Sequence, residues 1–216
     1  MITIKYINCL KLSNISVAEL SSHLPPRLFQ KALRYKADTD ILRSLLGKLL
    51  LKKILIEAGY SKSILYDLIA EDNHKPYIAG VPNFNISHSG EYAICVFSPE
   101  TQIGIDIEKI SHIDLVHFRS AFNEEEWETI KCNEYPLSKF YSLWTQKEAV
   151  IKADGRGMGI LFSKVKLGDQ WALCEDSLWN ISEVSIDPQY SCHLACKKKI
   201  TIEYNEIQGV SALLSQ

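Results

Sequence analysis

The chain has 216 residues, 46% of them hydrophobic and 23% charged, enough to build the core of an ordinary globular protein. Its 24 Lys and Arg against 26 Asp and Glu leave a net charge of -2, which excludes the broad basic excess of a nucleic-acid-binding chain. The longest run without a charged side chain, Pro76 to Gly90, holds two prolines and two glycines and is too short and too polar to cross a bilayer. Met1 to Tyr6 carries neither a basic stretch nor the apolar run of a secretory signal, so a cytoplasmic location without membrane attachment is expected. Six cysteines lie scattered without a CxxC pair and read as buried free thiols. A zinc site at Cys192, His193 and Cys196 is not expected, because tetrahedral zinc needs four ligands and no second Cys/His pair follows.

Ile2 to Cys9 reads as a strand, and Pro25-Pro26 opens a basic helical stretch from Arg27 to Lys36. On that stretch Lys31 and Arg34 lie one turn apart, a solvated face by default and a phosphate contact as the functional alternative. Asp38-Thr39-Asp40 predicts an N-cap before a helix from Ile41 to Ala58, where Ile41, Leu45, Leu49, Lys52 and Ile56 keep helical spacing and Gly59 ends the run. Turn signals at Lys75-Pro76 and Gly80-Val81-Pro82 precede Asn83 to Gly90, which leads into a strand from Glu91 to Ser98. Ser87 and His88 are placed at a turn before that strand. Ile103 to Glu108 alternates strictly and predicts a two-faced strand. Asn123-x-x-Glu126 predicts a capping box for a helix through Cys132, and Ser138 to Ala153 a second helix ended by Asp154-Gly155. Short strands are expected at Val165 to Leu167, Cys192 to Lys198 and Ile200 to Tyr204. The expected fold is α+β, in two similar lobes of residues 1–101 and 102–216, each an antiparallel sheet with a long helix.

Chemistry concentrates in the second half. Asp106 and Glu108 are two apart on a strand, so both carboxylates leave one face about 7 Å apart. Gly104 on the same strand suggests close approach by another group. A solvated strand face competes with a metal or catalytic role. Glu148 and Lys152, four apart, share a helix face and could be a plain surface ion pair. Three carboxylates and a lysine together describe a site for Mg²⁺ and phosphate, because hard cations select oxygen ligands and leave positions open for substrate phosphates.

Ile103-Gly104-Ile105-Asp106-Ile107-Glu108, followed some forty residues on by Trp144-Thr145-Gln146-Lys147-Glu148-Ala149-Val150-Ile151-Lys152, resembles the paired signature of the 4'-phosphopantetheinyl transferases. Phe84-Asn85-Ile86-Ser87-His88-Ser89-Gly90, Lys75-Pro76 and Arg43-Ser44-Leu45-Leu46-Gly47 resemble the surfactin-type (Sfp-type) branch. The resemblance implies a monomeric pseudo-dimer with its site at the junction of the lobes. It implies transfer of the phosphopantetheine arm of coenzyme A to a serine of an apo acyl or peptidyl carrier protein, releasing 3',5'-ADP. Asp106, Glu108 and Glu148 would hold Mg²⁺, Glu148 would also serve as base, directly or through a water, and Lys152 would contact the pyrophosphate. Ser87, His88, Lys75, Arg43 and Ser44 would bind the phosphates and nucleotide of CoA. Lys147 falls on another helix face and is expected to pair elsewhere. Carrier docking is expected on Arg156, Met158 and the helix flank near Lys147. Another Mg²⁺-dependent phosphotransferase or nucleotide hydrolase, or a non-catalytic CoA- or carrier-binding module, are the alternatives. Gly155 to Gly159 follows a helix rather than a strand and lacks the setting of a dinucleotide fingerprint.

Overall fold

The computed structural model describes residues 1–12, 16–70, 74–157, 160–199 and 201–215, in two units. The first holds Met1–Ala70, Pro76–Glu100 and Ile200–Gln216. It begins with β1 (Ile2–Asn8), α1 (Val17–Ser21) and α2 (Pro26–Ala32), the last shorter than the basic stretch that Pro26 opens. Next comes α3 (Asp38–Glu57), whose buried side chains include Leu45, Leu46, Leu49, Leu50, Leu51, Ile54 and Leu55. These surround most of the helix because the sheet covers one side while α1, α2 and the C-terminal α6 (Gly209–Leu214) cover others. Asp38 and Asp40 sit inside the first turn, where carboxylates oppose the helix dipole; the cap is Ala37, without a side-chain bond.

β2 (Asn83–Ser89) and β3 (Tyr92–Ser98) pair as a hairpin through Gly90, whose φ is 52°. Ser87 and His88 therefore lie within a strand, not at a turn. The four-stranded sheet runs β2-β3-β1-β9, with β9 (Ile202–Glu206) parallel to β1. This parallel pair departs from the all-antiparallel lobe expected. It also moves the boundary: the tail from residue 200 belongs to the first unit, tied by β1–β9 pairing and by α6 on α3, because its backbone completes the exposed side of β1. Ile200, at the start of the expected last strand, lies outside the described residues.

The second unit holds Glu71–Lys75 and Thr101–Lys199. β4 (Ile103–Lys109) leads to α4 (Glu124–Lys131) and α5 (Pro136–Asp154), then to β5 (Val165–Leu167), β6 (Trp171–Cys174), β7 (Ser177–Glu183) and β8 (Tyr190–Cys196). The sheet order is β4-β8-β7-β6-β5, antiparallel throughout. β6 and β7 went unread in the sequence because the left-handed positions at their turns are Gln170 (φ 56°) and Glu175 (φ 51°), not glycine or asparagine. The capping box is present: Asn123 Oδ1 accepts from the Glu126 N–H at 2.8 Å, and the Asn123 N–H donates to Glu126 Oε2 at 3.0 Å. α5 ends at Gly155 in the left-handed conformation. Cys95, Cys174, Cys192 and Cys196 are buried thiols as expected, but Cys9 is half-buried and Cys132 is exposed, on the solvent side at the end of α4.

Candidate active site

Strand alternation puts Gly104, Asp106 and Glu108 on one face of β4, and that face is covered by α5. Gly104 is the reason α5 can lie so close. A Cβ there would stand 2.2 Å from the Ala149 carbonyl oxygen and 2.3 Å from the Ala153 nitrogen. The close approach suggested by the glycine is thus made by a helix backbone. Ile103, Ile105 and Ile107, on the other face, are fully buried, and on the α5 face Asp106 is buried and Glu108 half-buried.

Asp106 is 2% exposed and accepts from Lys152 Nζ at 2.5 Å. Burial pushes the Glu148 carboxyl up to about 7; Lys152 pulls it down, while Asp106 and Glu108 push it further up. Burial opposes the charge on Lys152, but Asp106, Glu148 and Glu108 outweigh it and hold the ammonium above its usual range. The structure therefore brings Asp106, Glu108, Glu148 and Lys152 into one electrostatic group. Among the described residues no three His, Cys, Asp or Glu side chains close on a common metal position, and the positive charge at Asp106 is that of Lys152. Mg²⁺ nevertheless fits the donor set. It takes hard oxygen ligands, needs only one or two carboxylates beside waters and substrate phosphates, and would relieve the crowding of anions that raises Glu148.

Lys75, in the second unit, donates to the Ile103 carbonyl at 2.6 Å and lies against Gly155. Burial lowers its ammonium to about 8, with Asp154 pulling the other way. In the first unit, Arg43 donates to the Gly90 carbonyl and pairs with Asp40, so it braces the β2–β3 turn; its Nε is buried with no hydrogen-bond partner among the described residues. Ser44 Oγ accepts from Lys48 Nζ at 2.7 Å. Ser87 is buried, while His88 is half-buried, edge-on to Tyr35 with ring centroids 6.4 Å apart. As strand neighbours, Ser87 and His88 point to opposite faces of their sheet. Lys31 donates to the Ala70 carbonyl at 2.8 Å.

Residues 102–205 match the model of the 4'-phosphopantetheinyl transferase superfamily, and residues 13–100 that of the 4'-phosphopantetheinyl transferase N-terminal region. The chain is 40% identical over 145 residues to the 4'-phosphopantetheinyl transferase gsp of Aneurinibacillus migulanus, covering 65% of this chain and 60% of that one. With the transferase psf-1 of Bacillus pumilus it shares 30% identity over 203 residues, 86% of this chain and 84% of the other. The chain belongs to the 4'-phosphopantetheinyl transferase superfamily, on its Sfp branch. Sfp of Bacillus subtilis (strain 168) is itself 32% identical over 143 residues, 64% of this chain and 63% of Sfp.

Lys147 pairs away from the carboxylate group of the site, as expected. Lys147 is fully buried and pairs with Glu126 Oε2 at 2.7 Å, while also donating to the carbonyls of Val165 (2.9 Å), Ala121 and Phe162 (3.2 Å each). It is a clamp among α4, α5 and the start of β5. Arg156 is exposed and bound to Asp154 at 2.5 Å and to Glu175 at 2.8 Å. Met158 lies outside the described residues. The structure also holds a buried polar knot of Thr145, Ser191 and His193. Its signal was the alternation Ser191-x-His193, which places both side chains on the face of β8 that meets α5, whereas Cys192 and Cys196 face the other way.

Proposed function

We propose that this transferase moves the 4'-phosphopantetheine group of CoA onto a serine hydroxyl of an apo acyl or peptidyl carrier protein, releasing 3',5'-ADP. The observation that carries the chemistry is the meeting of Asp106, Glu108, Glu148 and Lys152 on a buried strand–helix contact, with Lys152 Nζ on Asp106. The serine oxygen forms its bond to the CoA phosphorus that bears the pantetheine arm. The bond from that phosphorus to the bridging oxygen breaks, 3',5'-ADP leaves, and the serine proton goes to Glu148. Lys152, already stabilised as an ammonium by three carboxylates, holds the pyrophosphate as a point charge. Asp106 and Glu108, with Glu148, would hold Mg²⁺, which supplies charge neutralisation at the pyrophosphate when bound.

For CoA recognition we assign Arg43, Ser44, Lys75, Ser87 and His88 to the phosphates and nucleotide. What supports this is donor character: a half-buried imidazole, a guanidinium with an open Nε, and a desolvated lysine. The protein acts as a cytoplasmic monomer in this reading, in keeping with one sheet and one long helix in each of its two units. No helix among the described residues is long and apolar enough to cross a membrane. The test is to incubate the protein with CoA, Mg²⁺ and several apo carrier proteins and to weigh the products. A gain of one phosphopantetheine, lost on omitting Mg²⁺, is expected. Hydrolysis of ATP with every carrier left in its apo form would instead establish the nucleotide-hydrolase alternative.

A further inference from the structure

α5 meets its sheet through two kinds of contact. Around Gly104 the contact is smooth: Gly104, Ala149, Ala153 and, opposite Gly104 on β8, Ala195 carry no side chain able to stop the helix sliding. One turn before Ala149 the contact is polar and fully buried. Thr145 is 0% exposed, Ser191 8% and His193 6%. Thr145 Oγ1 lies 2.8 Å from the Tyr141 carbonyl, 2.7 Å from His193 Nδ1 and 2.9 Å from Ser191 Oγ. A hydroxyl has one proton and two lone pairs. With the proton on the Tyr141 carbonyl, the lone pairs take a proton each from Ser191 Oγ–H and from a neutral imidazole protonated at Nδ1. One hydroxyl thus has all its bonds made, and it joins the helix to β8 at a single register.

This knot is placed where it governs the site. Thr145, Glu148 and Lys152 are spaced three and four apart and share one face of α5. In the β4–β8 ladder His193 stands directly opposite Asp106, and Ser191 directly opposite Glu108. Each acidic residue of the strand thus has a knot residue as its cross-strand neighbour, while the helical members of the site lie on the face the knot clamps. Buried polar networks specify one arrangement where an apolar contact would allow several. We propose that Thr145, with Ser191 and His193, is a positioning element that sets the register of α5 on the sheet, and through it the placement of Glu148 and Lys152 over Asp106. For its activity arm this inference rests on the proposed transfer reaction, and for its binding arm on the carboxylate group alone.

The experiment compares the unmodified protein with Thr145→Val, which keeps the shape and removes the hydroxyl, and Thr145→Ser, which keeps the hydroxyl. Mn²⁺ binding in the presence of CoA is measured by calorimetry, alongside the Mg²⁺ dependence of transfer, kcat, and KM for the carrier. Thr145→Val is expected to weaken Mn²⁺ binding about tenfold or more, the range seen when residues that orient metal ligands are lost. The Mg²⁺ concentration for half-maximal rate should rise in parallel and kcat fall, with carrier KM unchanged, while Thr145→Ser stays close to the unmodified protein in all four. If Thr145→Val does not fold, Ser191→Ala removes one bond of the knot and should shift Mn²⁺ binding the same way by a smaller factor. A variant that melts at lower temperature yet binds Mn²⁺ and turns over as before would reduce the knot to a structural role and overturn the inference. So would an unmodified protein that binds no Mn²⁺ with CoA present. Weakened Mn²⁺ binding in a protein that modifies no carrier would uphold the positioning and refute the transfer reaction.

Discussion

His193 makes the acid stability of the second unit calculable. Its imidazole is 6% exposed, and burial, reinforced by Lys139, lowers it from 6.5 to about 4. The charged groups around it are Asp106 of β4 and Glu183 of β7, both its cross-strand neighbours, and Lys139 of α5. Because the folded state holds the ring neutral while the unfolded chain takes up a proton near 6.5, the contribution is intact at neutral pH and is lost as pH falls from 6.5 towards 4. The full span is about 3 kcal/mol, of which about 2 kcal/mol is lost between pH 7 and pH 5. The comparison is with His193→Asn, whose amide can still donate to Thr145 but does not titrate. Urea unfolding of both proteins at pH 7, 6 and 5 isolates the term, because carboxylates elsewhere cancel in the difference. The unmodified protein should lose about 2 kcal/mol relative to the variant over that range. A difference that stays flat would show an unshifted imidazole, and one that favours the unmodified protein as pH falls an imidazolium held by Asp106 and Glu183; either would refute the neutral knot.

Glu148 works in the opposite sense: its folded value of about 7 lies above 4.5, so it contributes stability below pH 4.5 that is lost as pH rises through 7. Glu148→Gln should therefore stabilise the metal-free protein at pH 8 by about 1–3 kcal/mol in urea titrations while abolishing transfer, and a destabilised variant would contradict the crowding of anions. Asp106→Ala strands the Lys152 ammonium and should cost about 3–5 kcal/mol together with activity, whereas Glu108→Gln, at a half-buried position, should be milder on both, as thermal melts and turnover assays would show. Gly104→Ala drives a methyl into the backbone of α5 and should lower the urea midpoint by an amount equal to about 1–3 kcal/mol or more, with loss of Mg²⁺-dependent turnover; a neutral substitution would mean that α5 is free to move. His88→Ala should weaken CoA more than dephospho-CoA by calorimetry if the imidazole meets the 3'-phosphate, and equal losses would assign it elsewhere.

The candidate site was legible in the sequence because its members are short-range patterns. Asp106 and Glu108 are joined by strand alternation, and Glu148 and Lys152 by helical spacing, so each pair shares a face whatever the fold around it. The capping box at Asn123 and Glu126 and the glycine stop at Gly155 were legible for the same reason: local hydrogen bonds and backbone sterics set them. What required the tertiary structure was everything decided by distant partners. Alternation could say that Asp106 shares a face with Gly104, but not that α5 covers it, nor that Lys152 would reach Asp106 from 46 residues away. Lys147 and Lys152 look alike in sequence; one is a fully buried clamp on Glu126 and the other the cation of the site, because they leave α5 in different directions. The tail after residue 200 was assigned by sequence continuity to the second lobe, yet its strand pairs with β1, since a ladder forms wherever an edge presents unpaired backbone groups and chain order places no limit on that. Thr145, Ser191 and His193 each carry an unremarkable local signal. Only the packing of α5 on β8 makes them one hydrogen-bonded unit, because hydroxyl and imidazole bonds depend on separations of a few tenths of an ångström that no spacing rule supplies.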